Sequence, residues 1–171
     1  GSGVDKLYGI EGADKLYGQA GNDILYGGPD DDFLYGSNGV DKLYGQAGID
    51  TLNGGTGNDI LYGGPDDDFL YGSNGADKLY GQAGNDTLNG GDGNDTLYGG
   101  AGVDTFQINR GPGRALITDY DTNEADSIEL LGGLTESDLT FKYVGGDTRI
   151  KYGNDLMAIV QNTIAEDITF I

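Results

Sequence analysis

Residues 21–38 read Gly-Asn-Asp-Ile-Leu-Tyr-Gly-Gly-Pro-Asp-Asp-Asp-Phe-Leu-Tyr-Gly-Ser-Asn, and residues 57–74 repeat them letter for letter. The block divides into two nine-residue units, GNDILYGGP and DDDFLYGSN, which share Asp in third place, Leu in fifth and Gly in seventh. Carried outward, the same frame fits twelve consecutive units from Gly3 to Arg110 without a gap. Third place is always Asp: Asp5, Asp14, Asp23, Asp32, Asp41, Asp50, Asp59, Asp68, Asp77, Asp86, Asp95 and Asp104. Fifth place is Leu eleven times and then Phe106, and seventh place is Gly eleven times and then Ile108. The verbatim copy lays a period of 36 over the period of nine, which is the mark of duplication.

One unit reads as a glycine-rich turn of six residues and a strand of three, such as Lys42-Leu43-Tyr44. Side chains alternate along a strand, so Leu points to one side and its two neighbours to the other. A single Leu per strand is too thin an interior to stand alone, and the units have to stack as a solenoid. Two units make a coil of 18 residues, with two parallel sheets whose Leu rows face each other and glycine turns along both edges.

Composition narrows the chemistry. Glycine supplies 34 of 171 residues, and acids outnumber bases 29 to 9, for a formal charge of −20. There is no cysteine and no histidine, which removes disulfides, thiolate sites, imidazole bases and most zinc or copper sites. Carboxylates, hydroxyls and backbone remain. A strongly negative chain repels nucleic acid and anionic lipid and favours cations as partners. No apolar run approaches the ~18 residues that a membrane helix needs, and no charged-then-apolar signal peptide opens the chain.

Stacked coils lie about 4.8 Å apart, so equivalent carboxylates two units apart form columns at that spacing. One edge carries Asp5, Asp23, Asp41, Asp59, Asp77 and Asp95, and the other Asp14, Asp32, Asp50, Asp68, Asp86 and Asp104. At ~4.8 Å and an effective dielectric of ~20, neighbouring charges repel by roughly 3 kcal/mol. Six bare charges in a row are untenable, and a divalent ion between adjacent turns reverses the sign. The available donors are all oxygen. Calcium accepts six to eight oxygens in loose geometry, whereas magnesium wants a strict octahedron and retained water. Gly/Asp richness alone would suggest disorder. A fixed Leu and Asp phase over twelve units argues against it, except in the calcium-free chain, where disorder is the expected state.

These residues resemble the RTX (repeats-in-toxin) nonapeptide family, haemolysin-type, with its pattern G-G-x-G-x-D-x-U-x. Gly54-Gly55-Thr56-Gly57-Asn58-Asp59 and Gly90-Gly91-Asp92-Gly93-Asn94-Asp95 carry the turn, each followed by a strand centred on Leu, and Gly27-Gly28-Pro29 opens another. The resemblance implies an all-β, right-handed parallel β-roll over residues 3–110 that binds calcium, with a C-terminal cap over 111–171. It also implies that each ion lies between two turns on one edge, held by both Asp carboxylates and by carbonyls of the first four turn positions. Those positions include Gly18, Gly21, Gly27, Gly36, Gly39, Gly45, Gly48, Gly54, Gly57, Gly63, Gly72, Gly75, Gly81, Gly84, Gly90, Gly93, Gly99 and Gly102, with Asp30 and Asp66 standing where two glycines belong. Six turns per edge leave five intervals, and hence at most ten ions on two edges, whose charge would cancel the formal −20. The second turn glycine is replaced by Ile10, Gln19, Ser37, Gln46, Ser73 and Gln82. Those turns are expected to bind more weakly, because glycine serves a positive φ there.

In sixth place the odd-numbered units read Tyr8, Tyr26, Tyr44, Tyr62, Tyr80 and Tyr98, an unbroken ladder. The even units read Tyr17, Tyr35, Asn53, Tyr71, Asn89 and Gln107, with Phe33 and Phe69 in fourth place. In-register aromatics stabilise parallel coils, so the ladder reads first as structural, with a docking face for carbohydrate or protein as the alternative. Ice binding, known for one branch that resembles this family, is not expected, because ninth place lacks the Thr and Asx rows that such an edge would want. Lys6, Lys15, Lys42 and Lys78 read as solubilising charges.

After Arg110 ordinary β patterning begins. Strands are expected at residues 115–120, 127–131, 139–144, 148–152, 156–160 and 168–171, with a hairpin turn at Val144-Gly145-Gly146-Asp147. Capping boxes are expected at Thr135 to Asp138 and Thr163 to Glu166. A solenoid's last coil exposes its Leu rows and strand edges, so this tail reads as a cap. An EF-hand at Asp119-Tyr120-Asp121-Thr122-Asn123 fails, since Glu124 replaces the needed glycine and Leu130 the bidentate Glu. Asp119, Asp121 and Asp126 read as solvated turn acids, with an auxiliary ion site as the alternative. Glu166 to Ile171 resembles the acidic-then-apolar terminus of type I secretion substrates.

The function expected is a calcium-driven folding module of a secreted bacterial protein, passed unfolded through type I secretion machinery and folded outside from its C-terminal end. The rivals are an adhesin or surface-layer module that binds through the tyrosine face, and the C-terminal fragment of a secreted protease, lipase or epimerase. Catalysis by this chain is not expected, because its paired carboxylates sit in glycine turns without a pocket-forming domain.

Overall fold

The computed structural model describes residues 1–171, and its regular structure is strand, β1 to β17 in chain order, apart from two short 3-10 turns. The odd units form one parallel sheet. It runs through β1 (Lys6–Tyr8), β3 (Ile24–Pro29), β5 (Lys42–Ala47), β7 (Ile60–Gly64), β9 (Lys78–Ala83) and the second half of β10 (Thr87–Ala101). The even units form the other, through β2 (Lys15–Ala20), β4 (Phe33–Asn38), β6 (Thr51–Thr56), β8 (Phe69–Asn74), the first half of β10 and β11 (Thr105–Ile108). Each pairing within the repeats is an 18-residue step that puts one repeat position on its equivalent, as Leu25 on Leu43 and Tyr26 on Tyr44. The chain is therefore an all-β parallel solenoid with two nonapeptides per coil.

The two Leu rows meet in the middle. Every repeat Leu from Leu25 to Leu97 is fully buried, as is Phe106, while Leu7 on the first coil is only partly covered. The strands are mostly six residues long, not the three expected, because pairing resumes after the seventh-place glycine: Gln46 lies opposite Gly28 and Ala47 opposite Pro29. β10 carries this furthest and runs unbroken through a whole turn, so that it belongs to both sheets.

On the outer face of the odd sheet, Tyr8, Tyr26, Tyr44, Tyr62 and Tyr80 stack with ring centroids 4.9–5.0 Å apart and planes within 10°. Tyr98 ends the ladder, tilted 45° from Tyr80 at 6.3 Å. Lys6 places its ammonium over Tyr8 and Tyr26, at 5.1 and 5.2 Å from their centroids. The even face turns from aromatic to amide, with Asn89 donating to Gln107 at 3.1 Å and Gln107 to Glu129 at 2.7 Å.

Beyond the repeats, β12 (Gly113–Ile117) extends the odd sheet and β13 (Ser127–Leu130) the even one. β14 (Leu139–Val144), β15 (Asp147–Tyr152) and β16 (Asp155–Val160) form an antiparallel meander whose last strand lies parallel on β12, and β17 (Thr169–Phe170) closes on β13. Ile117, Ile128, Ile150, Ala158 and Val160 are fully buried and continue the core past Phe106. The hairpin at Gly145 and Gly146 forms with both glycines at positive φ. The Thr135 main chain and hydroxyl both donate to Asp138, opening a short 3-10 turn. Thr163 caps nothing: the second 3-10 turn, Ala165–Asp167, follows Ile164, and the Thr163 hydroxyl donates instead to the Gln161 carbonyl at 3.1 Å.

Candidate metal centres

The third-place aspartates form both expected columns. Asp5 and Asp14, on the first coil, are partly exposed, and the other ten, from Asp23 to Asp104, are no more than 4% exposed. Within a column each Asp donates its main-chain N–H to Oδ1 of the Asp one coil on. Asp23 reaches Asp41 at 2.7 Å, Asp41 reaches Asp59 at 2.8 Å, and Asp50 reaches Asp68 at 2.8 Å. The same residue's carbonyl accepts from that coil too, as Asp23 does from the Lys42 N–H at 2.9 Å.

The second carboxylate oxygen has no such partner. Oδ2 is buried without a hydrogen bond in Asp14, Asp23, Asp32, Asp41, Asp50, Asp59, Asp68, Asp77, Asp86 and Asp104. It rests against the seventh-place glycine five residues earlier, and the carbonyl of the glycine one coil on turns toward the same spot. A methyl group on Gly36 would lie 2.5 Å from Asp41 Oδ2 and 2.6 Å from the Gly54 carbonyl oxygen; on Gly72, 2.5 Å from both Asp77 Oδ2 and the Gly90 carbonyl oxygen. Gly18, Gly27, Gly45, Gly63 and Gly81 show the same convergence, whereas at Gly54, Gly90 and Gly99 the three nearest atoms all belong to the aspartate. Glycine is thus required in seventh place by crowding of oxygens from two coils. First-place glycines do something else: Gly21, Gly39, Gly57, Gly75 and Gly93 lie hard against the carbonyl of the glycine one coil earlier.

Buried charge is costly unless it is paired or binds a metal. Among ion pairs the chain has only the Gly1 ammonium with Asp5, at 3.0 Å, so no Lys or Arg neutralises a buried aspartate. Nor do three acidic side chains converge on one point. The oxygens gathered in each interval are carboxylate and peptide carbonyl, a hard donor set suited to calcium.

The same burial shifts the acids upward. Desolvation, only partly offset by the N–H bond from the preceding coil and reinforced by the neighbouring aspartate's charge, raises Asp59 to about 6, Asp50 and Asp77 to about 7, and Asp68 to about 8. Asp86 rises to about 6 and Asp104 to about 7, with desolvation again the main cause. A carboxyl that holds its proton more tightly when folded stabilises the fold below its unfolded value, near 4, and that contribution is lost as pH rises through the folded value. Stripped of divalent ions, the chain should therefore gain β-type circular dichroism as pH falls from 8 to 5. With calcium present, the same protons compete with the ion, and the midpoint of a calcium titration should move to higher concentration. A metal-free spectrum that stays unchanged across this range would contradict the shifts.

Substitution at the second turn position keeps φ positive but lowers it, from 92–158° at Gly28, Gly55, Gly64, Gly91 and Gly100. Ile10, Gln19, Ser37, Gln46, Ser73 and Gln82 all take φ between 76° and 87°. Asp30 does so as well, at 79°, while its copy Asp66 does not. Both side chains are used, Asp30 accepting from the Gly12 N–H at 3.0 Å and Asp66 from the Gly48 N–H at 2.9 Å.

Two sets of residues escaped the sequence reading. Second-place Asn22, Asp31, Asn58, Asp67 and Asn85 each accept the main-chain N–H one coil on, as Asn22 does from Val40 at 2.9 Å. Alternation of Asx with apolar residues down the odd edge was their visible signal. The other set is Asp119 and Asp126, read as solvated but largely enclosed. Asp126 is 3% exposed and accepts from the Asp104 N–H at 2.9 Å, and Asp119 accepts from Gly99 and Gly100 at 3.0 and 2.8 Å. Asp121 does lie outside, bonded to Asn123.

Compared with known families, residues 1–34, 8–43, 35–70, 44–79 and 71–106 match the RTX calcium-binding nonapeptide repeat (4 copies). The chain belongs to that family. RTX repeats are structural calcium-binding units found in secreted bacterial proteins. Two solved structures illustrate the likeness. The AlgE6R3 subunit of the Azotobacter vinelandii mannuronan C5-epimerase is 27% identical, with a TM-score of 0.50 over 68% of this chain and 78% of that one. The extracellular lipase LipA of Serratia marcescens is 18% identical, with a TM-score of 0.46 over 93% of this chain. The RTX chain spans 39% of the lipase's length. Among curated proteins it has no match.

Proposed function

We propose that this RTX chain is a calcium-driven folding module of a secreted bacterial protein, in which a roll (residues 3–110) assembles on a cap (residues 111–171). The observation that carries the reading is ten buried Oδ2 atoms without a hydrogen bond, on aspartates that no basic side chain neutralises. The third-place aspartates are the anionic ligands, joined by carbonyls of the glycine turns, with up to ten intervals between coils. Calcium supplies, when bound, the positive charge and the loose oxygen coordination that these groups lack among themselves. Without it, repulsion and desolvation oppose stacking, which suits passage through a type I secretion channel as an unfolded chain. Millimolar calcium outside the cell then selects the coil stack.

In this reading the tyrosine ladder serves stacking, since near-parallel rings 4.9–5.0 Å apart cover one another at the coil spacing. Adhesion through that face gains no observation of its own.

Asp68→Asn tests the ligand assignment. The amide keeps an acceptor for the Asp50 N–H but removes a charge from two intervals, and it should raise the calcium midpoint several-fold and lower the number of ions bound. Asp67→Asn, on the exposed neighbouring carboxylate whose Oδ1 bonds Asn85, should change neither. Identical isothermal titration curves for the two variants would count against the columns as ligands.

A further inference from the structure

The cap carries a face unlike the rest of the molecule. β12, β16, β15 and β14 continue the odd sheet side by side, and their buried Ala115, Ala158, Ile150 and Leu139 point into the core. Alternation turns the residues between them outward. Leu116 pairs with Ile159, Ile159 with Arg149 and Arg149 with Lys142, in one row across the four strands. Lys151 stands two residues from Arg149 on β15, and Arg114 two residues from Leu116 on β12. Four of the chain's nine basic side chains thus gather on one face. No acid neutralises them, since the only ion pair is that of Gly1 with Asp5, and Arg149 Nε is buried without a hydrogen bond. Across the sheet the face runs cation, apolar, cation: Arg149 and Lys151 on β15, Ile159 on β16, then Arg114 beside Leu116 on β12. Neighbouring strands lie about 4.8 Å apart, so the two cationic groups are about 10 Å apart.

The even edge of the roll presents the inverse pattern at the same interval. In second place on three consecutive coils stand Asp31, Ile49 and Asp67, with Asp30 and Asp66 preceding the two acids. All four acids are exposed, and Ile49 between them is 49% exposed. Main-chain donors hold the carboxylates in place: the N–H groups of Gly12 and Gly48 bond Asp30 and Asp66, and those of Ile49 and Asn85 bond Asp31 and Asp67, all at 2.7–3.0 Å. None of the four has a basic partner. Two coils separate the acidic pairs, again about 10 Å. These side chains stand outside the third-place columns, so ions held by the columns leave their charge facing outward.

We propose that the basic face of the cap docks on the even edge of a second copy of this chain. Arg149 and Lys151 meet one acidic pair, Arg114 meets the other, and Ile159 and Leu116 cover Ile49. The opposite charges steer the encounter and fix its register. The two surfaces lie on different parts of one molecule, so the contact is heterologous: a copy that offers its cap keeps its own edge free for a third, and association runs head to tail. Calcium enters only by holding the roll folded, and the inference does not depend on which oxygens coordinate it.

Sedimentation velocity of the full chain in saturating calcium is the test. The mass should rise above the 17.9 kDa of one chain as concentration increases, and should return to it at about 1 M salt, where charges are screened within about 3 Å. Arg149→Glu/Lys151→Glu removes one surface and Asp31→Asn/Asp67→Asn the other, the amides keeping an acceptor for the N–H groups. Each variant alone should associate more weakly by roughly tenfold or more, with an unchanged far-ultraviolet spectrum. An equimolar mixture should recover a one-to-one pair, because each variant supplies the surface that the other lacks. An unaltered chain that stays single at every concentration overturns the proposal, whether or not its cap face then binds phosphatidylglycerol vesicles, and so do variants that associate as it does. Should either variant fail to fold, carbodiimide coupling in a mixture of isotopically light and heavy unaltered chains decides. Links between copies that join Lys142 or Lys151 to Asp30, Asp31, Asp66 or Asp67 support the contact; links between copies confined to other acids, or none, refute it.

Discussion

Excess EGTA should convert the chain from a β-rich, well-dispersed protein into a coil. The expected far-ultraviolet change is near-complete and cooperative, because each coil touches only its neighbours and a coil without its ions withdraws support from the next. The magnitude follows from mass action. At ten times its dissociation constant a ligand that binds only the folded state contributes about 1.4 kcal/mol per site. Ten such intervals supply about 14 kcal/mol, comparable with the ~5–15 kcal/mol net stability of an ordinary domain. The hydrophobic contribution is thin by comparison, one Leu per nonapeptide. Amide NMR spectra recorded in EGTA provide the check: sharp, well-spread signals from Gly18 to Gly99 would show that the buried aspartates need no metal, and the functional reading would fall.

Gly57→Ala should do nearly as much damage with calcium present. Gly57 has φ of 135°, and a methyl group there would fall inside the space of the Gly39 carbonyl. The coils cannot part to admit it, since the Gly39 N–H donates to Thr56 at 2.8 Å and the Gly57 N–H to Asn74 at 2.9 Å, on either side of the clash. Strain and overpacking together cost about 3 kcal/mol or more, read as a calcium midpoint raised by tenfold or greater and as fast hydrogen exchange in β4 to β7. Gly12→Ala is the matched comparison. Gly12 also has positive φ, 92°, but nothing lies within 4 Å of a methyl group there, so only the strain of about 1–2 kcal/mol remains. If both variants titrate alike, close approach of the coils is not what selects glycine in first place.

The fold was legible because its rule is periodic. Asp in third place and Leu in fifth place determined which residues share a column, and the 18-residue registers reproduce that assignment from Leu25 to Leu97. Length was less legible than phase. A seventh-place glycine looks like the end of a strand, yet Gln46 and Ala47 pair onward, because every turn stacks on an equivalent turn and its backbone finds partners. That Gln19 and Ser37 would keep the positive φ of the glycines they replace was hidden for a related reason: stacked equivalent turns impose nearly one path, and a single residue's preference of about 1–2 kcal/mol yields to it. Asp126 was obscured by arithmetic. The turn before Gly113 adds two residues and the loop through Asp119 to Ala125 two more, which breaks the period while returning an Asp-x-Ile strand to register. The signal was present in Asp126-Ser127-Ile128, which repeats the third-to-fifth-place pattern once the spacing of 18 is relaxed.

The link between successive aspartates has a direction. An N–H from the coil before holds Oδ1, while Oδ2 looks to the coil after, so every rung is completed only by the one toward the C-terminus, and the cap, through Asp126, completes the last. The molecule is consequently a zip fastener with its stop at one end. Tension applied to the N-terminus would peel off turns singly, each lengthening the tether by about 60 Å for 18 residues, whereas damage to the stop would free the whole row at once.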